Sequence, residues 1–240
     1  MRAAAFGIIF ASSLALTGFA APALAQSTPT IAVTGQGEAA VAPDMAILSL
    51  SVMREAATAR EALDEANAAM RDVIEAMRGE GVESRDLQTS GLSIQPRYVY
   101  PERSGEEGPR IVGYQVSNTL TVRVRDIERV GQILDLSVTL GVNQGGSILM
   151  TNDDPAAALE DARSAAVENA RAKAETLAEA AGVRLGRVMS ISEQMRQPDM
   201  RPLGAPPMAM RMAAEDASVP VEAGENTYRV NVDVSFEILQ

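Results

Sequence analysis

The segment Tyr228–Ile238 limits the fold more than any other stretch of this sequence. Tyr228, Val230, Val232, Val234, Phe236 and Ile238 fall on one side of an extended chain, while Arg229, Asn231, Asp233, Ser235 and Glu237 fall on the other. Side chains alternate across a strand, so this one has a dry face and a wet face. A strand buried on both faces, as in a parallel sheet, reads instead as an unbroken apolar run. An antiparallel sheet with helices on one side only, an α+β arrangement, is therefore expected. Met45–Arg54 repeats the pattern, with Leu48, Leu50 and Val52 set against Ser49 and Ser51.

Three helices are legible between the strands. Thr58 and Glu61 form a capping box. Leu63, Ala66, Met70, Val73 and Met77 follow on one face, and Gly79 and Gly81 stop the helix. Asp126 caps a second helix carrying Ile127, Val130, Ile133 and Leu134, which ends near Gly141. Asn152-Asp153-Asp154-Pro155 opens the third and longest, in which Ala162, Ala166, Ala170, Ala174 and Ala178 recur every four residues until Gly182. Such a row lets a helix lie close to whatever it packs on.

Leu87–Tyr100 and Ile111–Val124 read as the arms of a long β-hairpin extension whose hydrophilic tip is Pro101–Pro109. Shorter strands are expected at Gly145–Thr151 and Val183–Glu193. Ile31–Ala42 reads as a sheet-edge strand with a bulge or bend at Gly35 and Gly37. Its glycine pair lacks the third glycine and the strand–turn–helix setting of a nucleotide-binding loop. The fold class is thus α+β: antiparallel sheet or sheets with about three helices packed on one face.

The chain opens with Arg2, an apolar run over residues 3–20, and Ala21-Pro22-Ala23-Leu24-Ala25. Positive charge, apolar segment and small residues at Ala23 and Ala25 form the pattern of a cleaved secretory signal peptide, residues 1–25. An uncleaved anchor fits less well, because the run is alanine-rich and barely of spanning length. Residues 26–240 are then the working domain, with a flexible Met- and Pro-rich loop at 194–224. Losing Arg2 takes the formal charge from −11 to −12. That acidity argues against nucleic acid and anionic lipid as partners. No later apolar run is long enough to span a membrane. Helices interrupt the strands too often for a membrane barrel. The expected location is the periplasm, with association with the outer membrane left open.

The chain has no cysteine and no histidine. There are no disulfides for an oxidising compartment to form and no lipoprotein anchor. Serine triads, Cys-His dyads and histidine zinc sites are excluded together. Carboxylates, tyrosines, arginines and the single lysine, Lys173, remain for acid–base work, so catalysis is disfavoured and no cofactor is expected. Asp153 and Asp154 are read as helix caps rather than metal ligands. Glu168, Arg171 and Glu175 are read as solvated helix charges.

Met195, Met200, Met208, Met210 and Met212 crowd the proline-rich stretch. Thioethers are soft ligands, so Met208, Met210 and Met212 are candidate Cu(I) ligands, and methionine oxidises reversibly. The plain alternative is loop filler or a plastic contact surface. Tyr98, Tyr100 and Tyr114 on the hairpin arms are candidate oligomer contacts. They serve equally as ordinary cross-strand pairs.

Five blocks occur in order: Val33-Thr34-Gly35-Gln36-Gly37-Glu38 with Pro43-Asp44; Gly91-Leu92-Ser93-Ile94-Gln95-Pro96 leading to Tyr98 and Tyr100; Val112-Gly113-Tyr114-Gln115-Val116-Ser117-Asn118; Val122-Arg123-Val124-Arg125-Asp126; and Ala162-Arg163-Ser164-Ala165-Ala166. In this the chain resembles the SIMPL-domain family, which includes periplasmic immunogenic proteins of Gram-negative bacteria. The resemblance implies export and an α+β fold. It also implies assembly into large ring-like oligomers and resistance to oxidative stress, each seen in some members. It assigns no catalytic residues and nothing to 194–224. Three functions follow: a non-enzymatic, self-assembling envelope protein that supports stress tolerance; a soft-metal or oxidant-scavenging protein using the methionine loop; and a carboxylate-dependent enzyme.

Overall fold

The computed structural model describes residues 28–100, 108–194 and 219–240. Ala23, Ala25, residues 101–107 of the hairpin tip and the methionines of 195–218 lie outside the described residues.

The alternating strands form two antiparallel sheets, so the α+β expectation is met and divides into two layers. In the first sheet, β1 (Thr30–Val41) and β6 (Arg184–Gln194) flank β7 (Asn226–Leu239). In the second, the order is β3 (Leu87–Val99), β4 (Arg110–Val124), β2 (Met45–Ala56) and β5 (Gln144–Thr151). The helices divide likewise. α1 (Ala59–Gly79) and α2 (Val130–Thr139) cover the second sheet, and α3 (Ala156–Ala180) covers the first.

Thr58 caps α1 as its sequence requires: its hydroxyl accepts from the Glu61 N–H at 3.2 Å, and the Glu61 carboxylate accepts from the Thr58 N–H at 3.2 Å. The apolar face of α1 is Ala62, Ala66, Met70, Val73 and Met77, with Leu63 only half-buried. Met70, Val73 and Met77 join Leu48, Leu50, Val52, Leu120, Val122 and Ile133 in one core. Burying each such side chain contributes about 1.5–3 kcal/mol. Val221, within the stretch 194–224 read as a flexible loop, packs against this same core.

The bulge expected at Gly35 and Gly37 is absent. β1 pairs with β7 in unbroken register from Thr30↔Glu237 to Val41↔Asn226. The glycines serve the helix instead. A Cβ at Gly35 would lie 2.0 Å from the Ala166 carbonyl oxygen, and one at Gly37 would lie 2.0 Å from that of Ala162. The alanine row of α3 rests directly on the β1 backbone, and only residues without a side chain leave room for it. This contact holds α3 where its polar face reaches the outer edge of β1. Asn169 Oδ1 accepts from the Gln36 N–H at 3.1 Å, and Lys173 Nζ donates to the Thr34 carbonyl at 2.8 Å.

Asn152 joins the two layers. Its amide donates to the Ala42 carbonyl at 2.7 Å. Its carbonyl oxygen accepts from the Tyr228 hydroxyl at 3.0 Å and from Asn226 at 2.9 Å. Beside it, Arg125 grips Asp86 with two bonds, Nε–Oδ2 at 3.0 Å and Nη2–Oδ1 at 3.1 Å, and reaches Asp153 at 2.5 Å. Asp153 is therefore an ion-pair partner and not the helix cap expected of it, because Arg125, just past the end of β4, claims its carboxylate. Asp154 does cap, accepting from the Ala156 N–H at 2.9 Å.

Two outcomes follow from this packing. Gly35→Ala should lose about 3 kcal/mol in urea unfolding, since backbone must move to admit the methyl group. Gly79→Ala, where a Cβ meets nothing within 4 Å, should lose nothing; equal losses would refute the close-approach account. The Arg125 hydrogen bonds and charge hold the Asp86 carboxyl below its ordinary value, against the opposing effect of burial. Its contribution is thus complete above the unfolded pKa near 4 and is lost as pH falls through the lower folded value. Asp86→Asn should be less stable than the wild type at pH 7. The gap in urea midpoint should narrow steadily below about pH 4, and a gap that is flat with pH would overturn the assignment.

Candidate functional site

The hairpin of β3 and β4 presents the largest group of exposed apolar side chains among the described residues. Leu92 is 57% exposed, Ile94 46%, Tyr98 49% and Tyr100 73%, with Val99, Ile111 and Val112 also open to solvent. The register explains why Leu92 and Ile94 stand out. Leu92 pairs with Asn118, which pairs with Val52, and Ile94 pairs with Val116. Val52 and Val116 are buried on the helix-covered side, so Leu92 and Ile94 point to that side as well. Yet α1 sits over β2 and β4 and approaches β3 only near Leu87 and Thr89, so Leu92 and Ile94 are left bare.

Between α1 and β3 runs a groove of about 500 Å³ lined by Asp64, Asn67, Met70, Arg71, Ile74, Thr89 and Asn118. Asn118 is 8% exposed, and its Oδ1 has no hydrogen-bond partner. The opposite face of this sheet is polar and uncharged at its centre: the Ser51 hydroxyl bonds those of Ser117 at 3.0 Å and Thr119 at 2.9 Å.

The three candidate tyrosines are brought to one end of the hairpin. Tyr98 pairs with Ile111, Tyr100 lies just past the end of β3, and Tyr114 is half-buried between Pro96 and Ala56. Leu92, Ile94 and Asn118 do not stand out in the sequence as site residues. The signal for the first two was their even spacing beside the tyrosines. Asn118 carried none, because its burial depends on where α1 lies.

The other candidates are not assembled into a reaction centre. Lys173 is engaged at the edge of β1, and Arg171 pairs with Glu175 at 2.9 Å in solvent. Hydrogen bonds from Thr34 and Gln194 lower the pKa of Asp233, and Arg125 does the same for Asp86. Both carboxyls are kept ionised by fixed partners, which suits a structural role better than proton transfer. Burial raises the Tyr228 hydroxyl, with the charge of Asp44 adding to the effect, and its hydrogen bond to Asn152 occupies it. Among the described residues no cluster of three carboxylate, histidine or cysteine side chains is placed to hold a metal ion. Met208, Met210 and Met212 lie outside the described residues.

An unpaired buried acceptor costs free energy, and removing it returns that cost. Asn118→Val should therefore raise stability by about 1 kcal/mol in urea unfolding. A loss of stability would mean that Oδ1 has a partner in solution.

Known proteins share this sequence over nearly its whole length. The chain is 52% identical over 246 residues to the 26 kDa periplasmic immunogenic protein of Brucella melitensis, covering 99% of this chain and 98% of the relative. It is 28% identical over 242 residues to the uncharacterized protein YggE of Escherichia coli K12, covering 96% and 92%. The YggE protein of Edwardsiella ictaluri is 26% identical over 214 residues, covering 86% and 88%. None of these names carries an enzymatic activity. The family model for SIMPL, described as a protein of unknown function (DUF541), matches residues 31–236, from the first residues of β1 to the apolar end of β7, and the chain belongs to the SIMPL family.

Proposed function

We propose that this protein is a non-enzymatic envelope protein that is exported, works in the periplasm and associates with copies of itself, contributing to tolerance of oxidative stress. The observation that carries the self-association is the exposed apolar hairpin, with Leu92, Ile94, Tyr98 and Tyr100 in solvent. Contiguous exposed apolar surface of this kind marks interaction sites on soluble proteins. Export is supported by the Ala23–Ala25 leader pattern. The name of the Brucella relative, a periplasmic protein, points the same way. Among the described residues no helix is long and apolar enough to cross a membrane. The link to oxidative stress rests on the family resemblance.

Light scattering after gel filtration of residues 26–240 tests the reading. At micromolar concentration the mass should be a discrete multiple of the monomer. Tyr98→Ser combined with Tyr100→Ser should shift it toward the monomer. A strictly monomeric wild-type protein would overturn the self-association.

A further inference from the structure

The groove between α1 and β3 holds polar groups that the fold leaves without partners. Asn118 lies on its floor, 8% exposed, with Oδ1 unbonded. A buried polar group left unsatisfied costs stability, and such departures concentrate at sites with another use. The guanidinium of Arg71, on the helix wall, forms no ion pair with a described residue. Asp64 has one partner, Arg60 at 3.9 Å, and both side chains are largely exposed. A pair of that kind contributes little and is readily exchanged. The opposite wall brings no competing charge: Leu87–Tyr100 contains no acidic residue, and its single cation, Arg97, is paired with Glu55.

Packing fixes the order of these groups along the groove. Val116 packs with Ala62 and Ala66, whereas Leu120 and Val122 share a core with Met70, Val73 and Met77. α1 and β4 therefore run in the same direction, and Asn118 falls level with the turn of α1 that carries Asn67. Asp64 lies one turn before Asn67 and Arg71 one turn after it, and all three line the groove. At 1.5 Å per residue, Asp64 and Arg71 are about 10 Å apart along the helix. Across the floor, the exposed Leu92 is paired with Asn118.

An anion, then neutral amides, then a cation: that order complements a short peptide with free ends. We infer that the groove binds a linear tripeptide in extended form, with its ammonium at Asp64, its central peptide group at Asn118 and its carboxylate at Arg71. Length sets the number of residues. An extended chain covers about 3.3–3.6 Å per residue, so three residues span the two charges and two fall short. The Asn118 amide carries an acceptor and a donor, as a peptide group does, and its χ2 is soft enough to turn Oδ1 toward a peptide N–H. The Arg71 guanidinium can hold a carboxylate with two parallel hydrogen bonds. An apolar central side chain has Leu92 beneath it. The groove volume of about 500 Å³ suits a ligand of this size. The site is built within one chain and does not depend on self-association.

Equilibrium dialysis of residues 26–240 against radiolabelled Ala-Leu-Ala tests the inference, because it reads binding whatever the mass of the protein. Saturable binding with a Kd below about 1 mM is expected. In competition, Ala-Leu-Ala amide should bind at least about tenfold more weakly than the free acid, since it loses a charge-assisted bond. Arg71→Gln should weaken Ala-Leu-Ala by a similar factor and should no longer distinguish acid from amide. Asp64→Asn and N-acetyl-Ala-Leu-Ala make the matching pair at the other end, with a smaller effect because Asp64 must leave Arg60. Asn118→Val, expected above to be the more stable protein, should nonetheless bind about tenfold more weakly, which separates a lost contact from a lost fold. No saturable binding up to about 10 mM peptide would overturn the site. So would an amide that matches the acid on the wild type, a dipeptide Ala-Leu that matches Ala-Leu-Ala, or undiminished binding by Asn118→Val.

Discussion

The approach of α3 to β1, backbone against backbone, sets the position of nearly everything in the first layer. Helices usually stand off a sheet by the length of two side chains; here the alanine row meets Gly35 and Gly37 with none on the strand side. At that distance Asn169 and Lys173 reach past the sheet plane to the free edge of β1. A helix one side chain higher would leave those backbone groups to water or to another chain. The same small residues that permit close packing thus decide which edge is closed, and indirectly which edge is left available.

The second layer answers a different constraint. Its helices are larger on their buried faces, with Met70, Val73, Met77 and Ile133 in the core. α1 stands over β2 and β4 and reaches only the first residues of β3, leaving Leu92 and Ile94 uncovered. A hairpin arm outside the helix footprint keeps its apolar side chains in solvent. An exposed apolar surface on an edge strand is uncommon, because it offers a template to any other chain.

Much of this was legible in the sequence, and the remainder was hidden for identifiable reasons. The alternation in β7 and β2, the Thr58 capping box and the alanine row of α3 are local patterns, and each was read correctly. The division into two sheets was not visible, because both sheets show the same alternation and the pairing of β1 with β7 joins residues about 200 positions apart. Gly35 and Gly37 suggested a bulge because glycine in a strand interior has two readings, and only the position of α3 separates them. Asp153 looked like a cap for the same reason: its partner, Arg125, lies far away in the sequence, just past the end of β4. At the candidate surface the tyrosines were recognisable by residue type, whereas Leu92 and Ile94 became notable only once the footprint of α1 was known.

The closure of the first sheet by the last strand has a bearing on how the chain acquires its structure. All four strands of the second sheet and both of its helices are contained within residues 45–151. That unit is complete before β7 is made. The first sheet waits for β7, its middle strand, which ends at Leu239. Until then β1 and β6 have no neighbour to hydrogen-bond, and α3 has only half a surface to lie on. Contacts so distant in sequence are slow to form. β7 therefore acts as a keystone: a nascent chain that has not reached it holds one finished layer and one that cannot yet exist.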